Sequence, residues 1–146
     1  MKIQLITNSE SETLLVAEKF GKSLPKTCVV SLEGDLGAGK TTFAKGVARA
    51  LGIKEAITSP TFTLMNEYNG AKTSLFHFDL YRLEDPEEFH AMGFEEYFDL
   101  TTLDGISLVE WPSNCPNILP ERRYDVKITK KGENKRLIEI SPRGLV

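Results

Sequence analysis

The chain has 146 residues, 40% of them apolar and 27% charged, and carries a formal net charge of −3. These values predict one globular domain over residues 1–146 and exclude a disordered chain, while the acidic balance argues against autonomous high-affinity nucleic-acid binding, which needs a basic patch. No run of residues is long and apolar enough to span a membrane, no signal-peptide pattern is present, and neither cysteine suggests a disulfide or metal site, so we expect a reduced, cytoplasmic protein.

The first elements are a short predicted strand around residues 3–5 and a helix. Ser9 and Glu12 have the spacing of a capping box, in which the two side chains bind backbone N–H groups at the start of a helix. This pattern predicts a helix that ends near Ser23.

The most specific pattern in the chain lies at residues 34–41. Their sequence, GDLGAGKT, fits G-x-x-x-x-G-K-[ST], the phosphate-binding loop of P-loop NTPases. An apolar run at residues 28–32 predicts a buried strand before the loop, and residues 40–51 predict a helix after it. Strand, loop and helix in this order indicate a site for a nucleoside triphosphate.

The chemistry of such a loop assigns a task to each position. Its glycines allow a tight turn that aims backbone N–H groups at one point, where the start of the following helix also favours an anion. Lys40 reaches the β- and γ-phosphates, the Thr41 hydroxyl is placed to bind Mg²⁺, and Thr42 can bind a second phosphate. The predicted nucleotide-binding residues of the loop are Gly37, Ala38, Gly39, Lys40, Thr41 and Thr42.

The later elements alternate between strands and helices. Asn69-Gly70 predicts a two-residue hairpin turn. The predicted elements are a strand after residues 58–64, a strand at 75–80, a helix from Pro86 to before Gly93, a short helix at 95–98, a strand at 106–110, and a hairpin of strands at 124–129 and 136–140. This order predicts an α/β fold, a P-loop NTPase-like three-layer α/β/α sandwich whose mainly parallel sheet carries antiparallel additions.

Two acids are candidates to complete a phosphate-loop site. Glu110 ends the most apolar strand after the loop, which is the usual place for an acid linked to Mg²⁺. Asp79 lies on the polar face of the preceding strand and is the candidate for orienting the attacking water. The residues alone leave open which acid has which role, and whether either is only a structural acid at a strand end.

Several other side chains have both a functional and a structural interpretation. His77 is more typical of a packed or hydrogen-bonded histidine than of a catalyst. Arg82 either reaches a phosphate or pairs with a neighbouring acid, and Trp111 either lines the nucleotide pocket or only packs. Ser59 and Thr61 are placed either in a switch segment that senses the γ-phosphate or in an ordinary loop.

Four segments together resemble one protein family. Residues 34–43, 59–64, 77–82 and 108–112 read GDLGAGKTTF, SPTFTL, HFDLYR and LVEWP, and they look like the blocks of the TsaE family, also called YjeE, in family order. The resemblance covers nearly the whole chain. It implies a bacterial ATPase that is required for threonylcarbamoyladenosine modification of tRNA.

The resemblance carries further expectations. It implies that the protein binds ATP and Mg²⁺, hydrolyses ATP slowly alone, and works with TsaD and TsaB, which modify adenosine 37 of tRNAs reading codons that begin with A. The resemblance also implies that the protein is not itself the threonylcarbamoyl transferase and that it meets tRNA only indirectly. Lys40, Thr41 and Thr42 would bind phosphates and metal, Glu110 would be the second metal residue, and Asp79 the hydrolysis residue.

The resemblance also suggests nucleotide contacts near the two ends of the chain. Residues 10–13 resemble a family element near the adenine, which makes Glu10 a candidate nucleotide contact. Near the C-terminus, either Lys135 or Arg136 approaches the nucleotide.

Two other functions compete with this interpretation. A P-loop small-molecule kinase would need a lid, and no arginine-rich lid is evident in this short chain. A regulatory GTPase would need an N-K-x-D motif, whereas residues 134–137 read NKRL, and no D-x-x-G is present.

Overall fold

The computed structural model describes residues 2–60 and 63–144. The strands are β1 (Ile3–Thr7), β2 (Cys28–Glu33), β3 (Met65–Asn69), β4 (Ser74–Asp79), β5 (Ile106–Glu110), β6 (Arg123–Lys130) and β7 (Arg136–Arg143). The helices are α1 (Glu10–Ser23), α2 (Lys40–Ala50) and α3 (Pro86–Ala91), and shorter 3-10 segments cover Phe94–Phe98 and Pro112–Asn114. None of the helices described is long and apolar enough to cross a membrane.

All seven strands form one mixed sheet in the order β1-β7-β6-β2-β5-β4-β3. The four central strands, β6, β2, β5 and β4, are parallel to one another, and the pairs β1–β7, β6–β7 and β3–β4 are antiparallel. This confirms a sheet with a parallel centre and antiparallel additions, which form the outer strands on both sides. Because the central strands are parallel, the carboxyl ends of β2, β4 and β5 lie together along the same end of the strands, which is called the sheet edge below.

Helices α1 and α2 cover one face of the sheet. Alternate residues of β2, such as Val30 and Leu32, join one buried cluster with Phe20 of α1 and Phe43 of α2. The Ser9 hydroxyl caps α1 by accepting the Glu12 N–H at 3.1 Å. The predicted capping box therefore sets where α1 begins.

The opposite face is covered over β4 and β5 by α3 and the 3-10 segment after it. Phe78 of β4 is fully buried there, with its ring centroid 4.9 Å from Phe98 and 6.1 Å from Phe89. Val29 of β2 and Val109 of β5 belong to the same cluster. The sheet thus lies between two helical layers, as the sequence predicts.

The hairpin between β3 and β4 differs from the prediction. The turn at Asn69-Gly70 does not close in two residues, because residues 70–73 form a longer loop in which the Gly70 N–H donates to the Thr73 carbonyl at 3.2 Å. The Lys72 N–H also donates to the Leu51 carbonyl at the end of α2. The longer loop therefore satisfies a helix-end carbonyl that a two-residue turn would not reach.

Candidate nucleotide-binding site

A cavity of about 420 Å³ lies at the sheet edge where β2, β4 and β5 end. It is bounded by the loop after β2, the start of α1, the strand ends and the hairpin of β6 and β7. Its lining residues are Ser9, Glu10, Thr13, Leu36, Gly37, Gly39, Lys40, Thr41, Thr42, Ser59, Asp79, Tyr81, Glu110, Trp111, Asn134 and Arg136. Segments far apart in the sequence therefore form one polar site.

The loop between β2 and α2 has the backbone of an anion site. Gly37 and Gly39 have φ angles of +79° and +107°, which side-chain-bearing residues rarely adopt. Gly39 caps α2 without a side-chain hydrogen bond, and the first helical backbone bond runs from the Phe43 N–H to the Gly39 carbonyl. Within the described residues, the N–H groups of Lys40, Thr41 and Thr42 make no backbone hydrogen bond, so they are available to an anion.

Lys40 brings a positive charge into this site while being almost completely buried. Its Nζ donates to the Gly34 carbonyl at 2.5 Å and lies 3.8 Å from the ring centroid of Trp111. Burial lowers the pKa of Lys40, while Glu110, Asp79 and Asp35 act in the opposite direction. The ammonium group is thus poorly solvated, and an incoming phosphate would give it a strong charge-assisted hydrogen bond.

The two candidate acids lie side by side. Asp79 ends β4, Glu110 ends β5, and the parallel register places them directly opposite each other, with Glu110 also opposite Leu32 of β2. Glu110 is only 3% exposed, and its Oε2 lies 2.6 Å from Nε2 of His77. The favoured interpretation of His77, a packed and hydrogen-bonded histidine, is confirmed.

Asp79 is more open than Glu110. The Tyr81 N–H donates to its Oδ1 at 3.0 Å. Burial raises the pKa of Asp79, the Tyr81 N–H lowers it, and the neighbouring Glu110 raises it further. A carboxylate that is poorly solvated in this way is a better acceptor for a water proton than an ordinary surface aspartate.

The oxygen groups at the site fit Mg²⁺ bound together with a phosphate. The Thr41 hydroxyl and the carboxylates of Asp79 and Glu110 line the same cavity, and oxygen ligands are what Mg²⁺ prefers. In the part of the chain described, no group of three or more acids, histidines or cysteines has an arrangement that could hold a metal ion by itself. Protein groups would therefore supply only a few ligands, and phosphate oxygens and water the rest, which is how Mg²⁺ usually binds at nucleotide sites.

An aromatic pair forms one wall of the cavity. The rings of Tyr81 and Trp111 lie with centroids 4.9 Å apart, and both residues line the site. Trp111 has a φ of +56° immediately before Pro112, a conformation that is costly for a bulky residue. This backbone turn directs the indole of Trp111 to Lys40, so Trp111 lines the pocket rather than only packing in the core.

Arg136 attaches the C-terminal hairpin to the phosphate loop. Its Nε donates to the Ala38 carbonyl at 2.7 Å, and one terminal nitrogen donates to the Gly37 carbonyl at 3.3 Å. The other terminal nitrogen donates to carbonyls of residues 132, 133 and 135. Of the two basic residues that the sequence left open, Arg136 lines the cavity and Lys135 does not.

The structure brings most of the predicted binding residues together, with a few exceptions. Glu10 lines the cavity at the start of α1. Ala38, a residue of the phosphate loop, is buried and does not line the cavity. Arg82 is exposed and lies outside the lining. Ser59 lines the cavity, whereas Thr61 lies outside the described residues.

Sequence reasoning missed several lining residues. Tyr81 lies two residues after Asp79, just beyond the end of β4, so the alternation of polar residues at 77, 79 and 81 in the sequence was a usable signal for it. Thr13 belongs to the segment 10–13 that the resemblance placed near the adenine, but only Glu10 of that segment was predicted as a contact; the Thr13 hydroxyl lies 2.7 Å from that of Thr7. Asn134 belongs to a loop that no local pattern connects with the nucleotide site.

The strand–loop–helix unit, the parallel sheet centre and the acids at neighbouring strand ends define a P-loop NTPase-like fold. The model of the family described as "Threonylcarbamoyl adenosine biosynthesis protein TsaE" matches residues 7–138. The chain therefore belongs to the TsaE family.

Individual relatives agree with this assignment. The chain is 41% identical over 138 residues to the tRNA threonylcarbamoyladenosine biosynthesis protein TsaE of Bacillus subtilis (strain 168), covering 94% of this chain and 84% of the relative. It is 44% identical over 124 residues to the Haemophilus influenzae protein of the same name, covering 82% and 77%. The crystal structure of Bacillus subtilis YdiB superposes with a TM-score of 0.79 at 36% identity, covering 99% of this chain and 87% of that one.

Proposed function

We propose that this protein is a Mg²⁺-dependent ATPase that acts with TsaD and TsaB in threonylcarbamoyladenosine modification of adenosine 37, in tRNAs reading codons that begin with A. The observation that carries the proposal is the meeting of the phosphate loop with Asp79 and Glu110 at one cavity, in a chain of the TsaE family. The protein would act as one cytoplasmic domain over residues 1–146, a length that suits a single domain.

The ligand would be ATP, with its phosphates on the loop. Lys40 and the amides at the start of α2 would hold the β- and γ-phosphates, and Thr42 a further phosphate oxygen. Mg²⁺, when bound, neutralises charge on the phosphates, and Thr41 and Glu110 are the groups that would hold it. Glu10 lines the same cavity and would contact the nucleoside end. The chain lacks the N-K-x-D motif that reads guanine, which favours ATP over GTP.

Hydrolysis would depend on Asp79. Its carboxylate faces the cavity at the end of β4 and would orient the attacking water and accept its proton. We expect slow turnover by the isolated protein, because a missing charge-stabilising group can cost roughly 10³–10⁵ in rate. A partner would supply that group, and the ATP cycle would support TsaD and TsaB without transferring the threonylcarbamoyl group. The net charge of −3 agrees with indirect contact with tRNA.

Reconstitution tests this function. The ATPase rate of the chain should be measured with and without purified TsaD and TsaB, and tRNA modification by TsaD and TsaB should be measured with and without the chain. We expect TsaD and TsaB to stimulate the ATPase, and the chain to make modification multi-turnover. Absence of both effects would overturn the assignment, phosphorylation of an added hydroxyl compound would identify a kinase, and GTP binding much tighter than ATP binding would indicate a GTPase.

The roles of the two acids are separable by mutation. Asp79→Ala should abolish hydrolysis while ATP binding stays largely intact, because Asp79 acts on the water. Glu110→Ala should weaken Mg²⁺-dependent binding, because Glu110 is the proposed metal residue. Calorimetry with ATP and steady-state hydrolysis measure both effects. Loss of binding in Asp79→Ala but not in Glu110→Ala would show that the roles are reversed.

A further inference from the structure

His77 is a fully buried polar group for which hydrolysis has no direct use. It lies in the middle of β4, between Leu108 of β5 and Asn66 of β3. Leu108 offers no polar side-chain group, and the Asn66 amide donates to the Thr58 carbonyl at 3.2 Å and approaches the Tyr68 hydroxyl at 3.3 Å. Among the described residues, Nδ1 of His77 has no hydrogen-bond partner, while Nε2 lies 2.6 Å from Oε2 of Glu110.

The difference between the two ring nitrogens, of which only Nε2 has a partner among the described residues, indicates which of them carries the proton. An N–H on Nδ1 would be a buried donor without an acceptor, and such orphaned donors are rare in proteins. A ring that carries its N–H on Nε2 leaves only an unused lone pair on Nδ1. Nε2–H of His77 therefore donates to Glu110, whose carboxylate is the acceptor.

The hydrogen bond also distinguishes the two oxygens of Glu110. Oε2 is held by His77, whereas Oε1 accepts no hydrogen bond from the described residues and is not among their buried unpaired atoms. Since Glu110 lines the cavity, Oε1 is the oxygen open to it. His77 itself does not line the cavity and would not touch a bound nucleotide.

We propose that His77 is a positioning residue, which holds Glu110 through Nε2–H so that Oε1 alone is presented to the metal ion of the nucleotide site. The inference rests on the proposed role of Glu110 in binding Mg²⁺. A hydrogen bond that fixes a metal-binding group in this way commonly accounts for about 10–100-fold in metal affinity.

Three variants separate this role from simple core packing. The amide nitrogen of His77→Gln reaches the position of Nε2 and restores the donor, while His77→Asn reaches only the position of Nδ1, and His77→Leu fills the space without a donor. His90, the other histidine, pairs with Glu95 at the surface, so His90→Leu is the matched control. The measurement is calorimetric binding of a non-hydrolysable ATP analogue in Mg²⁺ and in EDTA, with Glu110→Gln as a further variant.

We expect His77→Asn and His77→Leu to lower apparent Mg²⁺ affinity by about 10–100-fold with unchanged binding in EDTA. His77→Gln and His90→Leu should behave like the wild type. If Mg²⁺ strengthens analogue binding in His77→Asn and His77→Leu as it does in the wild type, but not in Glu110→Gln, the role of His77 is overturned while the metal role of Glu110 stands. If Mg²⁺ strengthens analogue binding in Glu110→Gln as it does in the wild type, the metal role of Glu110 is overturned, and the role of His77 with it.

A nitrogen-15 spectrum of the wild-type protein provides a test that does not depend on variant folding. The His77 resonances should show the neutral tautomer protonated on Nε2, and His77→Gln identifies them by their absence. The tautomer protonated on Nδ1 would overturn the inference, because Glu110 would then have to be the protonated partner.

Discussion

The packing of α1 against α2 makes a quantitative prediction at Gly46. This glycine lies inside α2, where alanine is normally more stable by about 0.8–1.0 kcal/mol. A Cβ at Gly46, however, would lie 2.4 Å from the Cβ of Ala17 and 2.6 Å from the carbonyl oxygen of Leu14, both in α1. Carbon atoms pack at about 3.5–4.0 Å, so α1 would have to move by roughly 1 Å.

The magnitude follows from the two opposing effects. Overpacking of this kind costs about 1–3 kcal/mol, and a contact with backbone belongs at the upper end of that range. After subtraction of the propensity gain, we expect Gly46→Ala to lower the free energy of unfolding by roughly 2 kcal/mol. For a chain of this size, that corresponds to a fall in Tm of about 4–8 °C.

Urea and thermal unfolding measure this loss directly. Gly132→Ala is the matched control, because its Cβ would meet only the Cβ of Lys135 at an ordinary 3.5 Å, and we expect it to be nearly neutral. ATP affinity should also fall in Gly46→Ala, since α1 carries Glu10 and α2 begins at the phosphate loop. A Gly46→Ala variant as stable as the wild type, or more stable, would refute this packing argument.

Two further predictions concern the phosphate loop and the core. Arg136→Gln should weaken ATP binding by about 10–100-fold, because hydrogen bonds from a charged donor to the loop contribute about 1.5–3 kcal/mol. Arg143→Gln, which removes the ion pair with Asp125, is the calorimetric control, and equal affinities in both variants would contradict this prediction. Burial raises the pKa of Cys28 from 9.0 to about 12, so its thiol stays protonated in the native state when the unfolded thiol ionises. The contribution of the buried thiol to stability is present below pH 9 and is lost as pH rises towards 12, by up to about 1.4 kcal/mol per pH unit. In urea unfolding, the free energy of unfolding of Cys28→Ala should therefore decline less steeply over this pH range than that of the wild type. An identical decline would contradict the burial argument.

The parts of the site that could be predicted from sequence are those built by local signals. The phosphate loop needs glycines at fixed spacing beside Lys40 and Thr41, and the apolar strand before it indicates a parallel sheet. Asp79 and Glu110 could be placed because the carboxyl ends of parallel strands share one edge. Their hydrogen-bonding differences could not be predicted, since they depend on the burial of His77 and on the backbone of Tyr81.

The remaining parts depend on contacts between distant segments. Arg136 meets Ala38 across 98 residues of sequence, and only the placement of β7 in the sheet brings them together. The position of Trp111 depends on an unusual backbone conformation that Pro112 alone does not reveal. The prediction of a two-residue turn at Asn69-Gly70 was wrong because the conformation of this loop depends on the end of α2 rather than on its own turn residues.

Titration of the protein with Mg·ATP by calorimetry tests the central claim most directly. Lys40→Ala is compared with Lys45→Ala, which removes an exposed lysine from the same helix outside the cavity. We predict one ATP per chain for the wild type and for Lys45→Ala, and loss of tight binding for Lys40→Ala, because Lys40 is the proposed contact to the β- and γ-phosphates. Wild-type protein that binds no ATP, or Lys40→Ala that binds as tightly as Lys45→Ala, would contradict the account.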